Sequence, residues 1–234
     1  MGLLADGWVV AASFAQPAPV KGTVRPSVEV LTIPPAGVGV HLLGTWPGEE
    51  LVLFEGDGLL QVTQPPFGRR LHIAPTPDGV WIADNDQWEL RRFSAEGELS
   101  MVVRSSASPA AVTDQLLEEF LAERYRYAVQ DPTLEDLKQD QREITRHTTT
   151  PSLGMILGMM DGGVSVGEFK LGEAFPRAWI TVDPNGIVTT IELPSGFDVK
   201  QWGSDWVMGV VRDALDREAI HRYRILGTDP EVQF

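Results

Sequence analysis

At 234 residues, 43% apolar and 22% charged, the chain is long enough to bury a real core and is not composed like a disordered segment. The net charge of −14, with no Lys/Arg-rich stripe to offset it, argues against nucleic acid and against anionic membrane surfaces as partners. The absence of cysteine excludes disulfides, thiolate nucleophiles and Cys-ligated metal sites, and no apolar run approaches the roughly 18 residues that span a bilayer.

The N-terminal stretch Trp8 to Ala15 is apolar and ends on small residues. No Lys or Arg precedes Lys21 and Asp6 interrupts the run, so it reads as a strand rather than a signal peptide. Further strands are expected over Ser27 to Ile33 and Val38 to Trp46, and Leu51 to Phe54 with Leu59 to Val62 read as a hairpin around Gly56-Asp57-Gly58. A regular four-strand set follows over Arg70–Ala74, Val80–Ala83, Trp88–Phe93 and Leu99–Arg104, separated by Pro77-Asp78-Gly79, Asp84-Asn85-Asp86 and Ala95-Glu96-Gly97.

Between Ser108 and Thr150 the period becomes helical. Thr113 is placed to cap a helix whose stripe is Leu117, Phe120, Leu121, Arg124 and Tyr125. Gln130-Asp131-Pro132 breaks it, and a second, very polar helix starts near Thr133 with Leu134, Leu137, Gln141 and Ile144 on one face. Strands resume at Leu153–Met159, Val164–Lys170, Ala178–Val182 and Ile187–Leu193, then at Val199–Trp202, Trp206–Arg212 and Ala219–Leu226. The tail from Gly227 reads as unstructured.

A loose repeat runs through this pattern. An acid-Gly turn feeding an apolar strand occurs at Asp78-Gly79-Val80-Trp81 and Asp161-Gly162-Gly163-Val164, and in weaker form at Asp6-Gly7-Trp8 and Ser204-Asp205-Trp206. Four short antiparallel strands in about 35 residues make one propeller blade. The expected fold is therefore all-β: a propeller-type array of about four antiparallel four-stranded blades. Residues 1–234 read as one propeller-like domain, with residues 108–150 a helical insert between blades. Seven Trp are many for this length, and they are expected to pack between neighbouring sheets rather than to form a ligand platform.

One resemblance accompanies this reading. It is carried by Pro66-Phe67-Gly68-Arg69 before His72-Ile73-Ala74, by Asp84 to Phe93, by Phe175-Pro176-Arg177-Ala178-Trp179, by Leu193-Pro194-Ser195-Gly196-Phe197 and by the closing run from Val210 to Glu218. In that order, with the insert, residues 51–226 resemble the C-terminal portion of bacterial six-bladed β-propeller proteins of the NHL-like or TolB-like kind. The resemblance implies an extracytoplasmic location, in a family largely without assigned activity. Six blades of about 40 residues need more chain than is present, so an incomplete six-bladed propeller is expected. Such a stack leaves unpaired blade edges, through which a homo-oligomer can form.

No catalytic or metal-binding residue is assigned. Asp84, Asn85, Asp86 and Asp161 have the oxygens a lactonase-type propeller uses for a divalent cation, but each stands where Asp and Asn ordinarily form turns. His41, His72, His147 and His221 are scattered without a metal-ligand spacing, and Gly158 to Gly163 lacks the following helix a phosphate loop needs. Arg212 to Glu218 reads as a solvated turn tied by an Arg–carboxylate pair, with a recognition loop as the sharper alternative. No cofactor is implied. The expected function is non-enzymatic binding of an unidentified protein or small ligand through a blade face or the insert; the alternative is a metal-dependent hydrolase of the gluconolactonase-like kind.

Overall fold

A computed structural model of the protein describes residues 2–16, 21–56, 59–125, 134–144, 146–171, 175–213 and 215–226. Its first sheet, blade I, joins β1 (Gly2–Leu3), β2 (Val9–Phe14), β4 (Ser27–Ile33) and β5 (His41–Pro47) in that order. The intervening strand β3 (Gly22–Val24) leaves blade I to pair with β6 (Leu51–Gly56), which pairs in turn with β7 (Leu59–Thr63) as a three-stranded side sheet. Blade II is a meander of β8 (Leu71–Thr76), β9 (Gly79–Asp84), β10 (Glu89–Phe93) and β11 (Leu99–Arg104). Blade III repeats it with β12 (Met155–Gly158), β13 (Val164–Gly167), β14 (Ala178–Val182) and β15 (Val188–Glu192). Blade IV has β16 (Phe197–Trp202), β17 (Trp206–Arg212) and β18 (Glu218–Arg224). The fold is the expected all-β, propeller-type array, with one difference: among the described residues the fourth blade has three strands rather than four.

Each blade packs face to face on the next. Leu4, Val10, Val28 and Val30 of blade I meet Val80, Ile82 and Phe93 of blade II. Trp81, Ala83 and Leu90, from the other side of blade II, meet Ile156, Val164, Val166 and Val182 of blade III. This explains the unbroken apolar run Val80-Trp81-Ile82-Ala83: a strand buried on both faces has no polar side to alternate with. Met159, Trp179 and Leu193 of blade III then meet Phe197, Val199, Trp202 and Val207 of blade IV. Trp81, Trp179 and Trp202 are wholly buried, and Trp179 and Trp202 stack edge to face at 5.6 Å across the last interface. Burying about 200 Å² of each indole at about 25 cal/mol/Å² contributes roughly 5 kcal/mol before entropy is counted. Six of the seven Trp thus pack in inter-blade cores, and Trp206 instead lies under the Arg222 guanidinium outside them.

The first strands of the blades run side by side and approach closely. A Cβ on Gly158 of β12 would stand 2.0 Å from the Pro75 carbonyl oxygen of β8, so no other residue fits there without moving backbone. The four repeat copies occupy one equivalent place, the turn between the first and second strands of each blade. There they link blade to blade: Ala5 N donates to Pro77 O at 2.7 Å, Trp81 Nε1 to Gly162 O at 3.0 Å, and Met160 N to Trp202 O at 3.0 Å.

Between β11 and β12 lie α1 (Asp114–Arg124) and α2 (Leu134–Glu143). Thr113 caps α1, its hydroxyl accepting from Leu116 N at 3.1 Å, and Leu117 and Leu121 are buried. The polar α2 is held by polar contacts: Arg142 chelates the Glu118 carboxylate of α1 with two bonds of 2.8 Å, and Gln141 Nε2 donates to Thr63 Oγ1 at 3.1 Å. Strand bounds otherwise follow the sequence pattern to within a few residues. Val38-Gly39-Val40 stays outside β5, since Gly37 and Gly39 adopt φ of +65° and +89°. The expected break at Gln130-Asp131-Pro132, the Asp57-Gly58 turn and the tail from Gly227 lie outside the described residues.

A candidate binding cleft beneath the first helix

Antiparallel alternation sorts the connections. Turns after first and third strands lie on one side of the array, the repeat-turn side. Connections after second strands, and those between blades, lie on the other, so the side sheet, the Asp84–Trp88 turn and both helices gather on one insert side.

A buried polar network ties this side together. The Arg69 guanidinium, with only 3% of its side chain exposed, donates to Asp86 Oδ1 at 2.8 Å, to Phe67 O at 3.2 Å, and to Thr149 O and Oγ1 at 3.1 and 3.0 Å. Its backbone N donates to Glu50 Oε2 at 2.9 Å, and the same oxygen lies 2.7 Å from His147 Nε2. Asn85 Oδ1 accepts from Arg70 N at 2.7 Å, while Asn85 O accepts from Ser152 N and Oγ at 2.8 and 2.9 Å. The two ends of the insert are zipped by Val112 N to Thr148 O and Thr150 N to Ala110 O, at 2.9 and 2.8 Å. Buried charge is tolerated here because each buried donor and acceptor has a partner.

Above the network is a cleft of about 230 Å³. Its apolar lining is Phe67, Phe120 and Phe169, with Phe67 4.9 Å from Phe120 and 6.3 Å from Phe169 between ring centroids. Phe67 reaches this place in a left-handed backbone conformation, φ +59°, uncommon for a bulky residue. Its ring is buried against Leu117 and Leu121 of α1, and that packing holds the strained turn. Three arginines line the cleft beside Glu49 and Glu50: the buried Arg69, engaged in the network, and Arg70 and Arg124. Arg124 lies 5.7 Å over the Phe120 ring and donates to neutral oxygens, Gln64 O at 3.0 Å, with Gln141 Oε1 and Thr63 Oγ1 at 3.4 Å. Arg70 is half exposed, and Glu49 Oε1 stands 3.9 Å from it. Both retain donor capacity in a chain whose net charge is −14.

Of the residues weighed as metal ligands, Asp84, Asn85 and Asp86 share one turn, and Asp161 stands apart from them in another. Asp84 Oδ1 accepts from Asp86 N at 3.2 Å and from Arg25 Nη2 at 3.0 Å, Asp86 holds Arg69, and Asp161 Oδ1 accepts from Gly163 N at 3.0 Å on the opposite side of the array. Among the described residues no group of three His, Asp or Glu is gathered as a metal site would need. Gly158 to Gly163 is the β12–β13 turn. Arg212 pairs with Glu218 at 2.7 Å and Arg217 with Asp213 at 2.6 Å in the β17–β18 turn. His41 packs on Trp8 and His221 is exposed beside Tyr223. His72, on β8, is mostly buried with Nε2 unpartnered; burial, and then the Arg70 charge, lower its pKa to about 4.

Of the four histidines, only His147 enters the network. Phe120 and Arg124 stand in the helical stripe and Arg69 in the Pro-Phe-Gly-Arg run, so part of the cleft is visible in sequence. Glu50, Arg70 and Thr149 carry no local signal, because their partners stand 97, 15 and 80 residues away.

Fold and cleft together define a propeller-type protein with a helical insert over one side. No family model matches the chain, and no curated protein sequence matches it significantly. Among solved structures it is similar to a streptogramin B lyase, with 8% identity and a TM-score of 0.30 over 92% of this chain and 58% of that one. It is also similar to a Bacteroides uniformis protein named as a 6-phosphogluconolactonase, with 13% identity and a TM-score of 0.31 over 97% of this chain and 67% of that one. Both neighbours are propeller-type folds, and the chain spans just over half the length of the first. Likeness this loose carries no argument about chemistry. Among the described residues no helix is long and apolar enough to cross a membrane.

Proposed function

We propose that this protein is a non-catalytic binding module whose ligand presents a carboxylate or similar small anion to the cleft beneath α1. The observation that carries the reading is the pair Arg70 and Arg124, two guanidinium groups lining an aromatic cleft with no carboxylate closer than 3.9 Å among the described residues. A guanidinium presents a planar fork of donors to a carboxylate, and the Phe rings favour an apolar body behind it. At about 230 Å³ the cleft suits a compact ligand or the end of a larger one. The proposal includes the family and domain readings: a relative of NHL-like and TolB-like six-bladed propellers, with residues 108–150 as an insert in one domain.

The hydrolase alternative needs oxygen ligands gathered from several blades. Asp84 and Asp161 are engaged in their own turns and Asn85 and Asp86 by Arg70 and Arg69, so binding is the better supported reading. A thermal-shift screen of small mono- and dicarboxylates tests it. A ligand at about 100 times its Kd should stabilise the fold by roughly 2.7 kcal/mol, and Arg124→Ala should abolish the effect. If no carboxylate shifts the melting temperature, or Arg70→Ala and Arg124→Ala leave a shift intact, the proposal fails.

A further inference from the structure

The cleft beneath α1 is lined by an acid as well as by its arginines. Glu49, in the connection between β5 and β6, has its Oε1 3.9 Å from the Arg70 guanidinium, too far for a hydrogen bond. Both side chains are half exposed, and an exposed pair at this separation binds itself weakly. Gln64 joins this acid to the second arginine: its side-chain Nε2 donates to Glu49 Oε1 at 2.7 Å, and its backbone O accepts from Arg124 Nη1 at 3.0 Å. One residue thus holds a carboxylate on its amide and a guanidinium on its carbonyl. Pro65 and Pro66 follow it, and their fixed φ limits how far this bridge can move. The other acid of the lining, Glu50, is instead engaged by Arg69 N and His147.

We infer that the ligand of this cleft is a free amino acid with an apolar side chain, its carboxylate held by Arg70 and Arg124, its ammonium by Glu49, and its side chain laid among Phe67, Phe120 and Phe169. The inference rests on the carboxylate reading of the cleft and names the class of carboxylate. A simple carboxylate that reaches Arg70 also approaches Glu49, and like charges brought together in a partly dry cleft repel. An ammonium group on the carbon beside that carboxylate turns the repulsion into an ion pair. The charges agree with this. Arg69 is paired with Asp86 and Glu50 with His147, which leaves two guanidinium groups and one carboxylate toward the cavity. Two guanidinium groups can share the two oxygens of one carboxylate, and the single acid matches one ammonium. An amine without a carboxylate is disfavoured, because both arginines then face its cation. Against three aromatic rings an apolar side chain is buried at no polar cost, whereas a charged one would lose its hydration.

Isothermal titration calorimetry of the full chain with phenylalanine and leucine, each beside its des-amino acid (3-phenylpropionate and 4-methylpentanoate), tests this. Each amino acid should bind roughly 10- to 100-fold tighter than its des-amino partner, the weight of one charge-assisted hydrogen bond. Phenylalaninamide, which keeps the ammonium and lacks the carboxylate, should bind more weakly than phenylalanine or 3-phenylpropionate. In Glu49→Gln, whose amide oxygen can still accept from Gln64, the preference for the amino acid over its des-amino partner should vanish; circular dichroism and a melting curve check that the variant folds. Des-amino acids that bind as tightly as the amino acids in the unaltered protein, or a preference that persists in Glu49→Gln, overturn the inference while the carboxylate reading stands. Binding by no member of either pair also overturns it, and the thermal-shift screen of carboxylates then decides whether that reading falls with it.

Discussion

The repeat-turn side and the insert side of this array are built on different plans. On the repeat-turn side, equivalent turns touch equivalent turns: Ala5 meets Pro77, Trp81 meets Gly162, Met160 meets Trp202. Each contact falls at or beside a turn unit that the chain uses four times. On the insert side no contact is repeated. Glu50, Arg69, Asn85, His147 and Thr149 come from four different connections, and their bonds depend on one another. A repeated staple tolerates the loss of one copy better than a single network tolerates the loss of its centre.

The largest expected effect is therefore Arg69→Leu. It leaves the buried Glu50 carboxylate beside a reorganised loop and removes four side-chain hydrogen bonds. Urea unfolding should show a loss of about 3–5 kcal/mol, with the insert becoming sensitive to protease. A loss under 1 kcal/mol would mean that the network is dispensable and the contrast between the two sides is false.

Acid should act next. The folded-state pKa of His72 is lowered from 6.5 to about 4. Between those values the unfolded chain binds a proton that the folded chain does not, so this contribution is complete above pH 6.5 and is lost as pH falls toward 4. The full amount is about 3 kcal/mol. Denaturation at pH 7 and at pH 4.5 should reveal it, and His72→Gln should flatten the profile over that window. An unchanged profile in the variant would assign the acid sensitivity elsewhere.

A smaller loss is expected on the repeat-turn side from Gly162→Ala. The position has φ +93°, and a Cβ would stand 2.6 Å from Asp78 Oδ1, at the junction of blades II and III. Roughly 1–2 kcal/mol should be lost by urea melt, with the insert's protease resistance retained. Smaller again is Thr113→Ala, which removes the α1 cap and should cost about 1 kcal/mol. By shifting α1 over the cleft it should also weaken any carboxylate ligand that Arg124 holds. Cleft binding unaffected by a frayed α1 would separate the helix from the site.

The legibility of the two sides follows from how their information is stored. Asp-Gly turns, the four-residue run Val80 to Ala83 and the cap at Thr113 each act within a few residues, and their patterns read directly. The β3 pairing did not, since three residues from Gly22 to Val24 find their partner in β6 and not in the neighbouring strands. Asp84, Asn85 and Asp86 are turn formers, as their setting implied, yet they also hold Arg25, Arg70 and Arg69 from other segments.

From the sequence by itself came the blades, their turns and the capped helix of the insert, because hydrophobic period and turn chemistry are local. Tertiary structure alone decided which side the insert covers, and that Arg69 is buried while Arg70 and Arg124 face a cleft. Those outcomes depend on groups far apart in the chain meeting in a low-dielectric interior, where each polar group is stable only with the partner the fold brings to it.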